Sequence, residues 1–178
     1  SITDLSHAVS LLGHRVLQDL LEAPETPTDS ASDQARRALH LHYAAAAQAA
    51  ALGQALGRQR GRAAEEIASG ALLQRPALLA LAVMDPESSL RAYRAHQDGV
   101  SLGAAYGAEL GCSPAVADWA LFERWGLPSI AQPTDPQREH PGARGALTGA
   151  ADALARELIA GWRTAEAATV RELLGRIL

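Results

Sequence analysis

A chain of 178 residues, 48% hydrophobic, has enough apolar side chains for one sizeable core but not for two full domains, so a single domain over 1–178 is expected. A formal net charge of -4 argues against an electrostatic nucleic-acid binder, which needs a clustered positive surface. One cysteine, Cys112, excludes an internal disulfide.

The longest unbroken apolar run, around "PALLALAVM", falls short of the roughly 18 residues a spanning helix needs. No charged, then apolar leader is present, so a cytoplasmic protein with no membrane partner is expected. The start at Ser1 suggests a processed chain or a fragment.

Strand signals are nearly absent, since aromatics are only 4% and no stretch alternates apolar and polar residues for long. An all-α protein is therefore expected. Leu5, Val9, Leu12, Val16 and Leu20 recur at helical spacing from Thr3 to Glu22, with Asp4 as cap and a bend at Gly13. "APETPTDSASD", Ala23 to Asp33, reads as a loop, and Ser32 or Asp33 opens a helix running to about Gly57. Small residues on every face of its "YAAAAQAAALGQAL" suggest a central helix buried all round.

A helix from near Ala63 carries "ASGALLQRPALLALAV", whose apolar run is interrupted by Gln74, Arg75 and Pro76; the proline forces a kink or break. Pro86 restarts a helix to about His96, and "SLGAAYGAELG" forms a short one ended by Gly111. Ser113 and Pro114 cap and begin the next, which ends before Gly126 and Pro128. Trp119, Phe122 and Trp125 are spaced to share one face of it, read first as core packing and second as an exposed docking patch. After a Pro-rich loop, "QPTDPQREHPGARG", two last helices are expected near Ala143 to Trp162 and Thr164 to Leu178.

Chemistry-bearing patterns are sparse. There is no nucleophile elbow, phosphate-cradling glycine loop or His-Glu-x-x-His pattern. Cys112 reads as a structural thiol. His40 and His42 lie two apart on one helix, so they cannot chelate one ion together and only one can face the core. Arg58, Arg60 and Arg62 in "GRQRGR" read first as a solvated turn and second as a candidate phosphate-binding cluster. Ile2 to Leu21 could pass for a helix-turn-helix, yet Arg15 is its only base-reading cation.

The order of these pieces adds more. "SITDLSHAVSLLGHRVLQDLL", "LHYAAAAQAAALGQALG", "AEEIASGALLQRPALLAL", "GAELGCSPAVADWALFERWGLP" and "AADALA" together resemble the HD superfamily of metal-dependent phosphohydrolases, and more closely its HDOD branch. The resemblance implies a helical bundle in which His42 stands on the motif histidine and Asp152 on the final motif aspartate. It also implies earlier helices that this chain lacks, as though it were the later part of a longer domain.

Gln74 and Arg75 occupy the positions where active members place a His-Asp pair. Gln offers only a neutral carbonyl, and Arg has no lone pair and adds positive charge. The later loop has only His140, displaced from the family pattern. The resemblance thus implies a degenerate former metal site of His42, Gln74, Arg75 and Asp152, without catalysis, metal or cofactor. Arg75 is expected to pair with Asp152, and His42 to be a core histidine hydrogen-bonded to backbone. The implied function is a bacterial signalling or regulatory binding module with a signalling protein partner. Alternatives are a residual metal-dependent phosphohydrolase and a receptor for a small nucleotide such as a cyclic dinucleotide.

Overall fold

A computed structural model describes residues 32–126 and 142–177. Expectations for the helix bent at Gly13, its helix-turn-helix reading, most of the 23–33 loop, Leu127, Pro128 and His140 lie outside the described residues.

Local chemistry sets the helix ends. Ser32 caps α1 (Asp33–Gln59), its Oγ accepting from the Ala35 N–H at 3.2 Å. α2 (Ala64–Leu72) and α3 (Pro76–Met84) are separated by Leu73, Gln74 and Arg75. Asp85 caps α4 (Pro86–Gln97), accepting from the Ser88 N–H at 3.0 Å. Ser101 caps α5 (Leu102–Leu110), which Gly111 ends in the left-handed conformation at φ 71°. Ser113 and Pro114 open α6 (Pro114–Arg124). α7 (Ala143–Ala160) ends at Gly161, φ 73°, and α8 (Ala167–Ile177) follows. No strand occurs among the described residues, so the chain is all-α.

The interruption of the long apolar stretch is a full break. A residue before proline is kept from helical geometry by the ring, and Arg75 sits at φ -130°, ψ 59°. The 21 residues Ala64–Met84 have the length and apolarity of a membrane span, which the count of uninterrupted apolar residues alone had missed. They form two nine-residue helices, each about 14 Å long and well short of the roughly 30 Å of a bilayer core.

α1 runs through the bundle and packs against both α2 and α7. Ala49, Leu56, Ile67, Ala71, Leu147, Ala151 and Ala155 form the shared core. The approach of α1 to α2 depends on Gly57, where a Cβ would meet the Ala64 Cα at 2.7 Å. α1 is nevertheless buried along one stripe only: Leu39, His42, Ala45, Ala49, Gly53 and Leu56 face inward, while Tyr43, Ala44, Ala47 and Gln48 are exposed. Alanine fits either environment, so the small residues did not mark a helix covered on all sides. A second cluster, Leu78, Leu81, Ala92, Ala105 and Tyr106, joins α3, α4 and α5.

Of the three aromatics on α6, Phe122 is buried, Trp119 half-buried and Trp125 53% exposed. They do not share a core face, because the helix ends at Arg124 and Trp125 falls on its C-terminal turn.

Candidate functional site: an arginine held between two buried aspartates

The break before Pro76 brings Arg75 to the surface of a pocket of about 330 Å³ whose lining includes Asp152, Arg156, Glu157, Glu166 and His96. The Arg75 Nε donates to Asp152 Oδ2 at 3.1 Å, and its Nη1 donates to Asp118 Oδ2 at 3.3 Å. Asp118 and Asp152 are buried on α6 and α7, and Arg75 is 23% exposed. Burial, the largest influence on Arg75, disfavours its charge, but the two aspartates outweigh it and hold the guanidinium pKa above its ordinary value.

Asp118 has a second task. Arg75 gives α3 no side-chain cap, and the orphan Ala77 N–H donates instead across the bundle to Asp118 Oδ1 at 2.9 Å. Burial pushes the Asp118 carboxyl up to about 6, against the pull of Arg75 and of the Ala77 N–H. The remaining oxygen of Asp152, Oδ1, accepts from Arg156 Nε at 2.9 Å. Both carboxylates are therefore matched at both oxygens by guanidinium or backbone donors.

His42 is buried, but its partner is not backbone. Its Nε2 lies 3.1 Å from Ser89 Oγ, and the ring stands edge-on to Tyr106 at 5.7 Å. Burial first, and Arg156 second, lower its pKa to about 3, with Asp152 opposing. His40 on the same helix is exposed, so the division of the two histidines follows the helix period. Gln74 is buried beside Arg75 in the chain.

A divalent cation does not fit this set of donors. Asp152 has both oxygens taken by guanidinium groups, His42 is engaged with a hydroxyl, and Arg75 contributes charge where a metal would need a ligand.

Arg58, Arg60 and Arg62 are exposed around the turn after α1, with Gly61 at φ 59°, and do not join this pocket. Arg58 shares a separate surface hollow with Glu65 and Glu66, which weakens the field an anion would meet. Cys112 is exposed on the turn between α5 and α6, outside this pocket.

Sequence reasoning missed Asp118 and Arg156, though both left a signal. Pro114, Asp118 and Phe122 repeat every four residues, which puts Asp118 on the buried face of α6. Arg156 follows Asp152 by one helical turn, the spacing of a helical ion pair.

The all-helical architecture agrees with a family-model match, HDOD domain, over residues 1–138. The chain belongs to the HDOD domain family. No curated protein and no solved structure matches it. Arg75 and Asp118 lie within the matched residues and Asp152 beyond them, on a helix that packs into the same bundle through α1 and α2.

Proposed function

We propose that this chain is a non-catalytic regulatory binding module, acting in bacterial signal transduction through a protein partner or a small ligand. A single domain, a cytoplasmic setting and a former metal site at His42, Gln74, Arg75 and Asp152 belong to this reading. The observation that carries it is the Arg75 guanidinium between Asp118 and Asp152: a fixed positive charge already satisfies Asp152, the carboxylate that the former site would offer a catalytic metal.

Nucleotide recognition is the weaker alternative. Both arginines of the pocket are already paired with aspartates, and Glu157 and Glu166 in its lining repel phosphate. Calorimetric titration with cyclic di-GMP checks it, with no heat expected beyond dilution.

The test of the main reading is an assay of the purified chain with Mn²⁺ and bis(p-nitrophenyl) phosphate. No turnover above the metal-only blank is expected. Metal-dependent hydrolysis that disappears in Asp152→Asn would overturn the reading.

A further inference from the structure

The same pocket holds a second cluster that the Arg75 network does not use. His96 lies in the last turn of α4, Glu157 on α7 and Glu166 just before α8; a ring nitrogen and one oxygen from each carboxylate lie within 4.8 Å of one another. His96 and Glu157 are 3% and 1% exposed.

Each carboxylate is anchored through one oxygen. Glu157 Oε1 accepts from the Thr164 hydroxyl, and Glu166 Oε1 accepts from the Leu102 N–H at 2.7 Å. The other oxygen of each, Oε2, is enclosed and has no hydrogen-bond donor. Buried acceptors are normally satisfied, so two orphaned carboxylate oxygens in one cluster point to a missing positive centre. His96 does not supply it for both. Its Nδ1 lies 3.0 Å from the Val100 carbonyl and only 3.7 Å from Glu166 Oε2, and no donor reaches Glu157 Oε2.

We propose that His96, Glu157 and Glu166 form a binding site for a divalent transition cation of the Zn²⁺ class. One imidazole nitrogen and two carboxylate oxygens are a donor set for Zn²⁺, whereas Mg²⁺ and Ca²⁺ favour oxygen alone. In a tetrahedral site with ligands at about 2.1 Å, ligand atoms stand roughly 3.4 Å apart, so the cluster closes onto an ion by side-chain shifts of about 1 Å. The Thr164 and Leu102 donors hold the carboxylates as outer partners hold metal ligands. Three protein ligands leave a fourth position for water or a ligand's oxygen from the pocket. The site is separate from the Arg75 cluster, and its existence does not require the regulatory reading above.

The test is calorimetric titration of the chelator-stripped chain with ZnCl₂. One-to-one binding is expected, weakened in Glu157→Gln and in Glu166→Gln by more than the roughly 10- to 100-fold that losing an outer partner costs. A surface His40→Gln control should bind as the parent does. Zn²⁺ should also raise the melting temperature of the parent but not of either Gln variant, whose native fold circular dichroism verifies. Absence of binding, or binding unchanged in both Gln variants, overturns the proposal and leaves the regulatory reading standing. Binding lost in Asp152→Asn but kept in Glu157→Gln places the ion among the family positions and overturns both.

Discussion

Two clusters share one pocket and handle buried charge in opposite ways. Around Arg75, each oxygen of Asp118 and Asp152 has a donor, so removing one member strands the others. Around His96, two carboxylates converge with an oxygen each left unanswered. Charge that is matched internally fixes the packing of three helices, while charge left unmatched is available to something from outside. The first cluster is therefore the structural element of the pocket, and the second its candidate for chemistry.

The largest effect should come from Arg75→Met, which keeps the side-chain stem and deletes the positive centre. Asp118 loses one donor and Asp152 another, both in the interior, and breaking such a pair costs about 3–5 kcal/mol. Urea denaturation measures it. Adding Asp118→Asn to Arg75→Met should recover part of the loss, because an amide carries no stranded charge and can still accept from the Ala77 N–H. A single substitution costing under about 1 kcal/mol would mean that water already serves the aspartates and that the two clusters do not differ.

A smaller effect sharpens the contrast through pH. His42 titrates near 6.5 when unfolded and about 3 when folded, so its contribution is complete above pH 6.5 and is lost as pH falls toward 3. Asp118 works the other way: its folded value of about 6 exceeds 3.8, so its contribution is lost as pH rises between them. The displacement of His42 is the larger, and by itself it removes about 2 kcal/mol between pH 6.5 and 5. In His42→Gln, which can still bond Ser89, the acid slope should flatten between pH 6 and 4, where Asp118 opposes the Asp85 and Glu109 carboxyls, held below their ordinary range by hydrogen bonds from Ser88 and Arg91. Melting temperatures across pH 4–8 give both slopes, and identical slopes in parent and variant would sink the assignment.

These groups differ in how legible they were. Helix ends were readable because Ser113 with Pro114, Gly111 and the Pro76 break act within one turn of the chain. The pairing of Arg75 with Asp152 followed from the family order of motifs, which aligns distant segments that local chemistry cannot. Asp118 and Arg156 were legible in principle, as members of helical spacings with Phe122 and Asp152. His96, Glu157 and Glu166 were not: they sit on three separate elements, which meet where the Leu102 N–H at the start of α5 donates to Glu166. Alanine misled most on α1, since the same side chain lines the seam with α7 and the solvent-facing side.

The smallest predicted effect is the most discriminating, because its sign is opposite to that of Arg75→Met. In metal-free protein, Glu157→Gln keeps the volume and the acceptor for the Thr164 hydroxyl, and replaces an orphaned oxygen with an N–H₂ group facing its acidic neighbour. An amide donor within about a side-chain shift of Glu166 Oε2 replaces an acceptor that has none, so stability should rise by about 1 kcal/mol in urea denaturation. With saturating Zn²⁺ the order should invert, since only the parent gains the binding free energy. A loss in metal-free protein as large as that of Arg75→Met would show that Glu157 already has a positive partner, and the two clusters would then be built alike.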